Sequence, residues 1–532
     1  MAWSRLGRGL GGIALAAGLL LGAGGPATAE RVLRIANMGE PQSLDPHKVA
    51  GTWENRIVGD MFVGLATEAA DGSTIPGAAE FWTVSDDGLT YTFGLREHRW
   101  ADGTPVTAED FVYALRRILD PKRAAKYAFI LYPIAGAKAF NKGEQSDPAK
   151  LAVRAIDLRT LEIRLENPTP FFIDQLTHYT AFPVPRHLVE AKGEDWVKPG
   201  TIVGNGPYTV VEWVPNGRIT AVKNPLFWDA ANVAIDKVVY YPDEERAAVL
   251  KRFRAGEIDL ATDFPSDQID WLKANLAGET RISPYLGVYY YPVNNARPPF
   301  SDRRVREALS MAIDREAITD KVLKTGEVPA YSFVPPGTGN YGQPAEVAWK
   351  ALPMKERLEK AKALLAEAGF GPAKPLKVTL KYNTSENHKK VAIAVAAMWK
   401  QLGVETELLN SEVKVHYNQL EENDFDVARA GWIADYDDPE NFLSLLATTT
   451  GKQNYGRYSN PEFDRLLDQA ARTADLAKRA DVLRRAEAIA LADAATIPIY
   501  HYVSKNLVSR KVRGWVPNTK DIHRTRWLSL AD

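Results

Sequence analysis

The order of elements along this chain predicts a mixed α/β protein of more than one domain, on three observations. Short segments of alternating apolar residues are interleaved throughout with capped, amphipathic ones. The stretch 376–409 reads strand, helix, strand, the pattern of two parallel strands joined by a crossover helix. Finally, 532 residues exceed the roughly 250–300 that one hydrophobic core supports, so two or three domains are expected.

Taken in order, the chain opens with Arg5 and Arg8, a small and apolar run from Gly9 to Gly25, and then Ala27-Thr28-Ala29. A positive start, a short apolar run and a small-x-small site form a secretory leader, with cleavage expected after Ala29. The run falls short of the ~20 apolar residues a spanning helix needs, and no Cys follows it to take a lipid. Thr90 to Leu95 alternates as a strand. Thr107 is expected to cap a helix, with Asp110 three residues on and Val106 stapled to Phe111, running through Leu115 and Ile118 and stopping before Pro121.

Gly204-Asn205-Gly206-Pro207 leads into a strand, Tyr208 to Val211, whereas a phosphate-binding loop opens a helix. Ser301 is expected to cap the next helix, with Phe300 stapled to Val305 and Val305, Leu309, Ala312 and Ile313 on one face. Leu376 to Tyr382 and Val404 to Leu409 read as strands around a helix from Asn387 to Gln401. Asn460 caps a helix over Pro461 to Leu467, and a helix from Asp475 to Ala492 precedes a strand from Thr496 to Tyr502. Val184-Pro185, Lys198-Pro199-Gly200, Arg297-Pro298-Pro299 and Pro335-Pro336-Gly337 mark loops or joints.

Composition then removes several function classes. A net charge of −1 offers nothing to nucleic acid or anionic lipid. The absence of Cys excludes disulfides, thiol nucleophiles, thiolate zinc sites and iron–sulfur clusters. There is no P-loop, no Gly-x-Ser-x-Gly elbow and no His-Glu-x-x-His, and the 8 His are scattered. No catalytic residue, metal or cofactor is therefore expected. The load of 13 Trp and 21 Tyr exceeds ordinary core needs and suits a site that holds polar ligands.

Six stretches carry a resemblance. They are Pro41-Gln42-Ser43-Leu44-Asp45-Pro46, Asp102 to Asp110, Asn205-Gly206-Pro207-Tyr208, Phe300 to Leu309, Ala312-Ile313-Asp314-Arg315, and Ala434-Asp435-Tyr436. In that order they resemble the peptide and nickel family of extracellular solute-binding proteins (family 5), and within it the oligopeptide binders of ABC importers. The resemblance spans nearly the whole mature chain. It implies a two-lobed periplasmic binding protein of the type II, three-domain kind, closing over its ligand like a hinged clamp. Lobe I would comprise 30–62, 189–287 and 503–532, the extra domain 63–188, and lobe II 288–502. The implied function is capture of short peptides in the periplasm and delivery to an importer whose permease and ATPase subunits are separate chains. The binding protein itself would be a monomer.

The segment Phe425 to Asp435 is similar to the one that holds peptides in oligopeptide binders. By that likeness Asp435 pairs with the ligand's ammonium group, and Arg429, His388 and Lys324 meet its carboxylate. Trp432 lines the pocket wall. The chain departs from the subgroup at Ala50, where oligopeptide binders carry an acid, and in its aromatic spacing over Tyr127 to Tyr132. Other readings stay open at this point: a murein peptide, nickel chelate or oligosaccharide as ligand, a secreted hydrolase with a carboxylate pair, or a chaperone or sensor using the same cleft.

Overall fold

The computed structural model of the protein describes residues 30–531, so the expected leader lies outside the described residues. The largest sheet has nine strands of mixed direction. From edge to edge it runs Ala430–Ile433, Thr280–Pro292, Thr496–Val508, Leu260–Ala261, Val32–Ala36, Lys237–Tyr241, Arg218–Lys223 and Tyr208–Val214, with Val328–Pro329 also against Thr496–Val508. Val32–Ala36 is parallel to both its neighbours, and the other pairings are antiparallel.

Two strands of 13 residues each, Thr280–Pro292 and Thr496–Val508, form a ribbon from the pair Thr280 and Leu507 to the pair Pro292 and Thr496. At about 3.4 Å per residue it is roughly 44 Å long. Ile497 and Ile499 near one end pack with Val305, Leu380 and Trp399. Leu507 near the other packs with Val249, Phe253 and Phe264. The ribbon thus joins separate hydrophobic cores. Its register shifts between Pro284 and Val288, the kind of irregularity that bends a strand pair.

The expected βαβ unit is present. Lys377–Asn383 and Glu405–Ser411 pair in parallel, joined by the helix Glu386–Lys400, and Val427–Ala428 completes a three-stranded sheet. A separate antiparallel sheet holds Ala79–Val84, Thr90–Leu95, Thr160–Arg164 and Val153–Ala155. Thr107 begins the helix Ala108–Leu119, and Asp110 accepts its backbone N–H at 2.8 Å. Asn460 caps Pro461–Ala471 by accepting the N–H groups of Glu462 and Phe463. Gly204 and Gly206 press on the main chain of Met61, while Asn205 bonds both backbone groups of Val63, so this turn is a packing device.

One cap differs from expectation. The helix after Phe300 is Arg303–Met311, and its cap is Asp302, not Ser301; the Asp302 carboxylate accepts the Arg304 N–H at 2.9 Å and also binds the Arg304 guanidinium. A carboxylate that answers both a backbone donor and a cation outcompetes a neighbouring hydroxyl. The final strand also runs six residues beyond the expected Tyr502, because polar Ser504 and Asn506 are buried between partner strands there.

Buried charges fasten the loops. Arg479, on the helix Leu476–Ala492, makes two bonds of 2.7 Å to Asp438, both side chains being almost wholly buried. Phe171 stacks on Tyr436 at 4.9 Å, under the Arg479 guanidinium. Replacing Asp438 by Ala strands that guanidinium, at a cost of about 3–5 kcal/mol. The D438A variant should therefore show a markedly lower denaturation midpoint, and an unchanged midpoint would contradict this account.

Candidate ligand-binding site

The edge strand of the large sheet sets up the site. Gly431 and Ile433 on this strand, Arg429 just before it and Asp435 just after it occupy alternate positions, and all four line one cavity. These residues, the ribbon's midsection at Tyr285 and Tyr502, the start of the helix Thr52–Met61 and the start of Glu386–Lys400 enclose that cavity. Its space open to the centres of water molecules is about 260 Å³, roughly twenty times what a single water needs. Being at the edge of the sheet, Ala430–Ile433 has a strand partner on one side alone, so main-chain groups on its other side are available to a ligand.

At one pole stands Asp435. Its backbone N–H donates to the side-chain oxygen of Asn441 at 3.2 Å, the same oxygen that accepts the Trp432 indole N–H at 2.8 Å. Trp432 in turn lies flat against Tyr127, with ring centres 5.6 Å apart and 11° between planes. Around the carboxylate are the His178 imidazole at 3.2 Å and the Asn441 amide at 3.5 Å. Among the described residues no Lys or Arg pairs with it.

At the other pole stands Arg429, whose side chain is buried. Its main chain is pinned by bonds of 2.7 Å to the Lys381 carbonyl and from the His416 imidazole. The guanidinium donates to Tyr502 Oη at 2.7 Å and Asn383 Oδ1 at 3.2 Å, and it lies over the Tyr289 ring at 5.0 Å. Nε finds no partner, and among the described residues no carboxylate lies within ion-pair distance. Gly431 makes room for this arrangement, since a Cβ there would sit 2.5 Å from the Tyr502 hydroxyl. A buried cation surrounded by neutral groups is costly until an anion reaches it.

His388, in the first turn of Glu386–Lys400, lines the same cavity beside the Tyr289 ring, with Nδ1 unpartnered. Burial, then Arg429 and Arg246, hold its imidazole well below the usual histidine range. It therefore faces a ligand as a neutral hydrogen-bonding group and not as a charge. Lys324 is not brought to the cavity: it is exposed, in a left-handed turn after Ile318–Leu323. The wall instead contains Lys505, paired with Glu327 at 3.2 Å, and Arg246, paired with Asp263 at 3.2 Å.

Tyr127 also lines the cavity, from the region where the sequence carried no contact. Four residues beyond Ala50, Glu54 supplies a wall carboxylate that accepts the N–H groups of Gln42, Ala50 and Gly51 at 2.7–2.8 Å. Local sequence gave no sign of Lys505 or Tyr127, because the residues they meet, Glu327 and Trp432, are far away along the chain; Arg246 gave none either, although its partner Asp263 is only 17 residues on. No cluster of metal-ligating side chains occurs among the described residues, and no described helix is long and apolar enough to cross a membrane.

Residues 73–454 match the family model described as bacterial extracellular solute-binding proteins, family 5, middle. The periplasmic oligopeptide-binding protein OppA of Escherichia coli (strain K12) is 40% identical over 511 residues, covering 95% of this chain and 93% of that protein. Among solved structures, the murein tripeptide binding protein MppA of Escherichia coli superposes with a TM-score of 0.92 at 40% identity, over 94% of this chain and 99% of that one. Against the unliganded open form of MppA the TM-score is 0.68, at 40% identity and with 94% and 98% covered. The arrangement described here is thus unlike that open form.

The neutral state of His388 is directly measurable. Its imidazole nitrogen shifts, followed by NMR, should remain those of a neutral ring from pH 7.5 down to pH 5.5. A titration midpoint near the ordinary histidine value of about 6.5 would contradict the burial argument.

Proposed function

The chain belongs to the bacterial extracellular solute-binding proteins of family 5, solute binders and not enzymes, and on that premise we propose that its cavity captures short peptides by their two charged ends. One observation carries the reading. Along one face of a single segment lie an acid with no Lys or Arg partner among the described residues and a buried arginine without an acidic one, the complement of a zwitterionic peptide. Asp435 takes the α-ammonium group and Arg429 the carboxylate, with His388 as a neutral hydrogen-bonding neighbour. The peptide main chain lies along Ala430–Ile433 as an added strand, which gives affinity regardless of side chains. Trp432 and Tyr127 form the wall next to the amino end. Lys324 has no part in it.

The two poles are six steps apart along the chain, so their Cα atoms are at most about 20 Å apart. An extended peptide held at both ends therefore has at most about six residues. Lobe I (30–62, 189–287 and 503–532) and lobe II (288–502) close about the ribbon, with 63–188 as the extra domain. The loaded protein acts in the periplasm, where OppA and MppA are found by name, and passes its cargo to the membrane subunits of an ABC importer. A murein peptide has the same two termini, and the likeness to MppA makes it the second reading. An uncharged oligosaccharide leaves both poles unanswered.

Mass spectrometry of whatever acid releases from the purified protein should find short peptides with free termini; a single non-peptide solute would overturn the reading. The D435A variant should fold and lose about 2–5 kcal/mol of peptide affinity, roughly 30- to 4,000-fold. An unchanged dissociation constant by calorimetry would remove Asp435 from the amine site.

A further inference from the structure

The cavity has a third pole that a plain zwitterion does not use. Most bases in its wall have acids of their own: Lys126 with Glu421 at 2.7 Å, Arg246 with Asp263 at 3.2 Å, Lys505 with Glu327 at 3.2 Å, Lys520 with Asp174 at 2.9 Å and Arg524 with Glu68 at 3.0 Å. Lys414 is exposed and solvated. Apart from Arg429, that leaves Arg56, for which no carboxylate among the described residues lies within ion-pair distance.

Arg56 is partly buried in the helix Thr52–Met61 and is held in place from behind. Its Nη1 donates to Asn37 Oδ1 at 2.6 Å, and the Asn37 amide donates to the Trp53 carbonyl at 3.0 Å, so Asn37 is fixed to the same helix. Among the described residues that is the one hydrogen bond its guanidinium makes. Asp521, the acid bearing on Arg56 most strongly, is beyond ion-pair distance and already bonded to His523 at 3.0 Å and Asn506 at 2.8 Å. Burial pushes the guanidinium below its ordinary value, with Asp521 acting in the opposite direction. Tyr285 feels the charges of both Arg56 and Asp435, and its ring is 6.3 Å from that of Tyr502, the hydroxyl that holds Arg429. Arg56 therefore opens on the same ligand space as the two terminal poles.

We propose that Arg56 is the receptor for a second carboxylate, so that the preferred cargo is a short peptide with one anionic group beyond its terminal carboxylate. This rests on the peptide reading above and narrows it. Such a group has two sources: an acidic side chain, or the α-carboxylate left free by a γ-linked glutamate. A guanidinium already oriented by Asn37 meets either one bidentately, and a neutral amide of the same shape loses that charge-assisted pair.

The test is titration calorimetry of the full mature protein with matched pairs of peptides. The pairs are Glu and Gln at each position of trialanine, and Ala-γ-D-Glu-Ala against its α-carboxamide. In the wild type at least one acid should bind about tenfold or more tighter than its amide. In R56Q that ratio should fall to about one, and in R56K, which keeps the charge without the fork, it should be intermediate. Which pair shows the ratio identifies the source. Ratios near one throughout the wild-type series, with peptides still binding, would overturn the second-carboxylate site and leave the peptide reading standing, whether or not the variants fold. A ratio that persists in R56Q would equally overturn it. If no peptide of any pair binds, the peptide reading fails and this inference with it.

Discussion

A charge withdrawn from water must be answered by another charge or a set of hydrogen bonds, and this molecule is organised around where that rule is obeyed and where it is left open. Away from the cavity it is obeyed closely. Arg117 makes bonds of 2.6 and 3.1 Å to the buried Asp45, with His47 2.8 Å from the same guanidinium. Arg479 likewise binds Asp438. Inside the cavity, among the described residues, Asp435 has no Lys or Arg partner and Arg429 and Arg56 have no carboxylate, and the side-chain amides of Asn441, Asn383 and Asn37 help hold them in position. Pre-set positions of that kind spare a ligand much of the cost of ordering its receptor.

Placement of these open charges follows from the ribbon. Its ends are committed to different hydrophobic cores, whereas Tyr285 and Tyr502 in its middle face the cavity. A site built at the link between cores changes shape when the cores move relative to each other, as hinged proteins do. The contrast between TM-scores of 0.92 and 0.68 against two forms of one relative fits such a joint.

Much of this was legible in the sequence, for local reasons. Caps such as Thr107 and Asn460 and the βαβ unit are written in neighbouring residues, whereas Arg429 and Asp435 were singled out by the likeness of the segment Phe425 to Asp435 to a known family. Ser301 misled because a carboxylate stands next to it with more to bind. Asp45, prominent in the resemblance, proves to be the partner of a buried arginine 72 residues away and not part of the cavity. Lys324 misled because a basic residue in a familiar context says nothing about which way its turn faces. Arg56, Tyr127 and Lys505 could not be found, since which residues share a cavity is a property of three-dimensional neighbourhoods alone.

The order of the ribbon's strands has a consequence in time. Thr280–Pro292 pairs on one side with Ala430–Ile433 and on the other with Thr496–Val508, the last long strand of the chain. The core around Trp399 needs Ile497, Ile499 and Tyr500 from that strand, although most of its other members are made by Val427. A chain made from its amino end therefore cannot finish its cores until nearly its last residues are available. Contacts of such long separation place it among the slow folders, exposing apolar surface in the interval. The connection that lets one ligand space be shared between cores is also what makes the molecule mature late and all at once.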